Sequence, residues 1–230
     1  MQLHVLSAGA AQGLVEALQD KFRADTGAGI HATFGAVGAM QEKLIAGERC
    51  DALILTSTLI AALESDGRVL PGASAPLGRV RTGVAMRSGD VAPTIADRSQ
   101  LCAALRSASV IHVPDMQRAT AGIHFASVLR QLDLQDEVAA RLRQHPNGAM
   151  AMLALGGASE PGEIGCTQIT EIKYARGVDL VGPLPAQFEL STVYSAAVCA
   201  GSQNPDLARR FVALLAGPVT RDRRRDLGFE

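Results

Sequence analysis

Four short stretches hold the residues with the most chemical potential: "SAGAAQG" at 7–13, "FGAVGAM" at 34–40, "RATAGIH" at 118–124 and "HPNGAMAM" at 145–152. Each is built largely from Gly, Ala, Ser or Thr and stands where the chain turns toward residues of helical spacing. The first turn of a helix leaves backbone N–H groups without partners, and the helix dipole adds a partial positive charge there. Small side chains let an anion approach those groups closely, whereas a large capping side chain would fill the space itself. Gly, Ser and Thr also begin ordinary helices, so a single loop of this kind says little. Four of them carry more weight, because ligands of open α/β sheets bind at the carboxyl ends of the strands, where such loops lie.

The anion these loops suit is smaller than a nucleotide. "GAAQG" at 9–13 breaks the GxGxxG spacing, and no GxxxxGK[ST] is present. There is no nucleophile elbow and no Ser/His/Asp spacing. Cys50, Cys102, Cys166 and Cys199 lack CxxC or Cys/His metal spacing. They read as small buried apolar residues, with a disulfide or a reactive thiol as the alternative. No metal and no cofactor is expected. His31, His112, His124, His145 and Asp115 are the titratable groups near expected loops or strand ends, and proton transfer would have to draw on them. Arg118, just before Ala119-Thr120-Ala121-Gly122, can take a carboxylate in a bidentate pair; the alternative is a solvent-facing loop arginine.

The elements that position these loops alternate along the chain. Strands are expected at 2–6, 30–34, 51–55, 78–86, 109–113, 164–169, 178–181 and 192–200. Helices are expected at 13–26, 38–46, 58–67, 97–107, 122–132, 135–144, 148–155 and 205–216. This βαβ alternation implies an α/β fold with mostly parallel sheets and helices on both faces. The 230 residues suffice for one large domain or two lobes, and no linker or fixed-period repeat divides them. Apolar residues make up 47% but aromatics only 3%, so the core must be built from Ala, Val, Leu and Ile. Lys and Arg number 22 against 23 Asp and Glu. That balance supplies no field for holding nucleic acid, and the mixed-charge stretch 221–226 reads as a solvated helix end. No run is long and apolar enough to span a membrane, and no basic-then-apolar leader is visible. The expectation is a periplasmic protein if a leader was removed, and otherwise a cytoplasmic one.

The ordered set "VLSAGA", "FGAVGAMQEKLIAGERCDALILTS", "TAGIHFASVLRQL", "GEIGCTQITEI" and "TVYSAAVCAGSQNPDLARRFVALLAGP" resembles the periplasmic molybdate-binding proteins and their relatives among the type II solute-binding proteins. The resemblance spans nearly the whole chain. It implies two α/β lobes, 1–78 plus 193–230 and 79–192, joined by crossings near 77–84 and 190–194, with a small anion closed between them. The anion contacts it implies fall on Ser7, Ala8 and Gly9, on Ala36, Val37 and Gly38, on Thr120 and Ala121, on Ala149 and on Gln168. It further implies a monomer with a small anionic ligand, and an ABC permease as the partner of a transport role. Molybdate binders usually place a Tyr hydroxyl where Gln168 stands. A carboxamide beside Arg118 suits a small di- or tricarboxylate better. Some proteins of this resemblance are enzymes, aconitate isomerase among them, so isomerisation of a small unsaturated carboxylic acid is the second functional expectation.

Overall fold

The computed structural model describes residues 1–230. In chain order it contains β1 (Gln2–Ala8), α1 (Gln12–Thr26), β2 (Gly29–Gly35), α2 (Val37–Ile45), β3 (Ala52–Thr56), α3 (Ser57–Ser65) and β4 (Val69–Arg87). Next come α4 (Arg98–Ser107), β5 (Ile111–Pro114), α5 (Thr120–Leu132), α6 (Gln135–Val138), β6 (Leu142–His145) and α7 (Gly148–Gly156). The chain ends with β7 (Ile164–Gln168), α8 (Ile169–Tyr174), β8 (Val178–Pro183), β9 (Ser191–Cys199), α9 (Pro205–Ala216) and α10 (Arg221–Asp226). It forms two compact units, Met1–Val80 with Thr192–Glu230, and Arg81–Ser191. Strands β4 and β9 are the segments in which the chain passes from one unit to the other.

In the first unit β1 lies between β2 and β3, parallel to both, and β9 closes the far side antiparallel to β3. Period-2 alternation places Val5, Ala52 and Ile54 in one core and Leu6, Leu53 and Leu55 in another, so the sheet is buried on both faces. Helix α1 brings Leu14, Val15, Leu18 and Phe22 to the first core, a spacing that keeps them on one face. Phe22 meets Phe211 of α9 edge to face, ring centroids 5.3 Å apart. Helix α1 stops at Gly27, whose φ of 72° allows its N–H to bond back to the Arg23 carbonyl.

In the second unit β5 lies between β6 and β7, parallel to both, while β4 is antiparallel to β7 and β8. One core gathers Ile111, Val113, Phe125, Val128 and Leu129, and another gathers Ala85, Met152, Leu155 and Ile172. No helix of the protein is long and apolar enough to cross a membrane.

The expected helix at 135–144 is corrected by the structure. Helix α6 ends at Val138, a 3-10 turn covers Ala139–Arg141, and β6 then runs along β5 from Leu142 to His145. Leu134, Val138 and Leu142 are four residues apart and mimic a helical face. The open edge of β5 requires a hydrogen-bonding partner, and that tertiary demand overrides the local period. Strand β4 begins at Val69, well before the expected position 78, because Pro71, Gly72 and Pro76 punctuate it without ending it. Helix α8 was not expected at all.

Candidate functional site

Strands β1 and β2 end in register, Ala8 opposite Gly35, so the loops holding Ser7–Gly9 and Ala36–Gly38 leave one sheet edge side by side. The 3-10 turn after β1 starts from Ala8 and α2 starts from Ala36, and neither start has a side-chain cap. Alanine carries no acceptor, in contrast to Thr56, whose hydroxyl accepts from the Leu59 N–H at the head of α3. Val37 and Gly38 form the first turn of α2. Ser7 is fully buried, and its hydroxyl donates to the Ala8 carbonyl at 2.9 Å. To donate to a ligand, that hydroxyl must rotate.

In the second unit β5 and β6 also end in register, Pro114 opposite His145, and β7 runs parallel beside β5. Helix α5 starts from Ala119 without a side-chain cap, which puts Thr120 and Ala121 in an open first turn. A Cβ on Gly122 would collide with the carbonyls of Pro114 and Asp115, so glycine lets this turn sit directly on the strand end. Asp115 shapes the loop before it: its Oδ1 accepts from the backbone N–H of Gln117 at 2.8 Å and of Arg118 at 3.0 Å. The Arg118 side chain is exposed.

The fourth loop differs from its expected role. Asn147 caps α7 by accepting from the Met150 N–H at 2.9 Å. The buried Glu171 carboxylate accepts from the backbone N–H groups of Gly148 and Ala149, from that of Gln168, and from the Thr167 hydroxyl. The group that accepts from the head of α7 is therefore the protein's own carboxyl, and Ala149 already has its acceptor. Gly148 has no room for a side chain, since a Cβ there would overlap the Glu171 carboxylate and Thr167.

Burial pushes the Glu171 carboxyl up to about 7, and the hydrogen bonds it accepts only partly offset this. A raised folded-state value means the neutral form fits the fold better. The stabilisation is full below the ordinary value of 4.5 and is lost as pH rises through about 7. The shift of about 2.5 units corresponds to on the order of 3 kcal/mol. Between pH 5 and 8, wild-type thermal stability is expected to fall relative to that of Glu171→Gln. Parallel melting curves of the two proteins would show the cause to lie elsewhere.

Gln168 sits at the end of β7, 2% exposed, and neither its carboxamide oxygen nor its nitrogen has a hydrogen-bond partner. Its strand neighbour across the β4–β7 pair is Thr82, fully buried, whose hydroxyl is also unpartnered. The Thr82 N–H donates to the Leu190 carbonyl, which brings the chain at Ser191 alongside, and the Ser191 hydroxyl is a further buried orphan. Thr170, on α8, is another. Buried polar atoms left unpaired are uncommon and call for an explanation, an absent ligand or water being the usual one. Sequence reasoning selected Gln168 and missed Thr82, Thr170 and Ser191. The antiparallel register that puts Thr82 opposite Gln168 has no local signature.

The titratable candidates separate. His124 donates from Nε2 to the Phe188 carbonyl at 2.7 Å, and His31 lies on β2 against the His4 ring, 5.2 Å between centroids. His112 and His145 come together: His112 Nδ1 is 3.0 Å from His145 Nε2, and His112 Nε2 is 2.6 Å from the Glu163 carboxylate. Burial, together with the neighbouring His112, lowers the affinity of His145 for a proton. Glu163 lines a hollow of about 410 Å³ with Met86, Pro93 and Ala104. Among the side chains of the protein no group of three or more His, Cys, Asp or Glu is arranged to hold a metal ion.

The sequence matches the bacterial extracellular solute-binding protein family over residues 3–230. The chain belongs to that family. This solute-binding protein is 25% identical over 220 residues to an aconitate isomerase from a Pseudomonas species, with 93% of the chain and 82% of the relative aligned. Its fold is similar to that of the periplasmic molybdate-binding protein of Azotobacter vinelandii, with a TM-score of 0.80 at 20% identity over 99% of this chain and 98% of the other. It is also similar to the sulfate-binding protein SubI of Mycobacterium tuberculosis H37Rv, with a TM-score of 0.77 at 17% identity over 100% and 86%. The solute-binding protein has the type II periplasmic-binding fold.

Proposed function

We propose that the protein reversibly captures a small anion, and that a carboxylic acid suits it better than a tetrahedral oxyanion. The observation that carries this reading is the buried, unpartnered Gln168 carboxamide opposite the equally unpartnered Thr82 hydroxyl. A carboxamide offers two N–H donors and an acceptor, more than a tetrahedral oxyanion of the molybdate type needs at one position. Arg118 supplies a bidentate donor for a carboxylate. The open first turns at Ser7–Gly9, at Ala36–Gly38 and at Thr120–Ala121 supply backbone N–H groups, while Ala149 contributes through Glu171 rather than by contact. Small residues at these turns let a ligand approach the N–H groups closely. In a transport role the partner is an ABC permease, and the protein works as a monomer.

A second reading, isomerisation of a small unsaturated carboxylic acid, is supported by the aligned aconitate isomerase and by the Glu163–His112–His145 chain. Moving a double bond requires a proton to be taken from one carbon and returned to another, and this chain offers groups able to do so. Calorimetry with molybdate, tungstate, sulfate, citrate and trans-aconitate tests the first reading. At least one of the carboxylates is expected to bind more tightly than the oxyanions; binding of sugars or amines with no anion bound would overturn it. Chromatography of trans-aconitate incubated with the protein decides between capture and turnover.

A further inference from the structure

Away from its loops at 7–13 and 34–40, the first unit holds two cysteines whose sulfurs lie 3.3 Å apart, Cys50 just before β3 and Cys199 at the end of β9. Both are buried, at 6% and 2% exposure, in the same apolar cluster. The backbones run together here, because β3 and β9 are paired from Ala52 opposite Val198 and the Cys199 N–H donates to the Asp51 carbonyl at 3.0 Å. Disulfide sulfurs lie about 2.05 Å apart, so the remaining gap is about 1 Å.

We propose that Cys50 and Cys199 are a disulfide-forming pair, oxidised by small-molecule disulfides. The bond would tie the start of β3 to the end of β9. Residues 81–191 lie wholly between the two cysteines in sequence, so the bond would enclose the entire second unit in one covalent loop. Access is provided by a surface hollow of about 450 Å³ lined by both cysteines with Gly47, Arg49, Arg68 and Gly201. The two arginines favour an anionic oxidant such as oxidised glutathione, and Glu48 at the same hollow moderates that preference.

Cys50 gives up its proton to water, and its thiolate attacks one sulfur of the oxidant, releasing one thiol and leaving a mixed disulfide. Cys199 then loses its proton and attacks the Cys50 sulfur, forming the internal bond and releasing the second thiol. Two protein S–H groups are oxidised to one S–S, and one external disulfide is reduced to two thiols. Cys50 attacks first because it is the more exposed of the two, at 6% against 2%; both thiols are held by hydrogen bonds, Cys199 to the Cys50 sulfur and Cys50 to the Ala52 carbonyl at 3.1 Å.

The experiment uses the full chain, fully reduced and then equilibrated with oxidised glutathione. Under denaturing conditions, titratable thiols are expected to fall from four to two, with a peptide map joining Cys50 to Cys199. Closing so long a loop should raise Tm by on the order of 5–15 °C, and the rise should vanish in Cys50→Ala and Cys199→Ala. Four remaining thiols, a persistent glutathione adduct, or a bond to Cys102 or Cys166 would each overturn the proposal. The map on the wild-type chain decides the matter even if a variant fails to fold.

Discussion

Gln168→Leu is expected to stabilise the unliganded protein while weakening its hold on the anion. In the free protein the carboxamide is 2% exposed with both polar atoms unpartnered, and leaving such groups unsatisfied costs about 1–3 kcal/mol. Leucine fills a similar volume and needs no partner, so Tm should rise by several degrees. In the complex the carboxamide would donate to a charged ligand, an interaction contributing about 1.5–3 kcal/mol. Its loss should raise Kd about tenfold to a hundredfold. The opposite signs are what make the experiment informative. A residue retained for packing would lose stability on substitution and leave Kd alone, and melting curves with calorimetry on one preparation distinguish the two cases. Thr82→Val should act in the same two directions with a smaller effect on binding, because a hydroxyl offers one donor where the carboxamide offers two.

The effect expected of Arg118→Ala is larger, and it separates ligand classes. A di- or tricarboxylate requires a donor for each carboxylate; the Arg118 side chain is exposed in the free protein, and where the bound ligand buries the bidentate pair, truncating it costs about 2–5 kcal/mol. That corresponds to about 30-fold to several-thousand-fold in Kd at 1.4 kcal/mol per decade. A tetrahedral oxyanion held by neutral backbone and side-chain donors should lose less than about tenfold. Citrate and trans-aconitate are therefore expected to be nearly abolished as ligands of the variant, with molybdate or sulfate affinity, where present, little changed. An Arg118→Ala protein with full carboxylate affinity would remove the main argument for a carboxylic acid. The substitution keeps the Arg118 backbone N–H that donates to Asp115 Oδ1 at 3.0 Å, so this tie of the loop should survive it.

The sequence by itself determined the alternation of strands and helices and the small-residue character of the loops. Both are local properties. The apolar spacing of Leu14, Val15, Leu18 and Phe22 defines α1 wherever it packs, and alanines at the heads of α2 and α5 leave those starts uncapped in any context. Local period failed where a sheet edge competed with it, as at Leu142–His145, which completes β5 instead of extending a helix. Tertiary structure alone decided which distant groups meet. Glu171 supplies the acceptor at the head of α7, Thr82 lies opposite Gln168, His112 sits between Glu163 and His145, and Cys50 stands against Cys199 across 149 positions of sequence. The strand-borne meetings depend on register, which backbone hydrogen bonding and two-sided burial of the sheets select jointly over the whole chain; shifting β4 against β7 by one residue would turn Thr82 to the face away from Gln168.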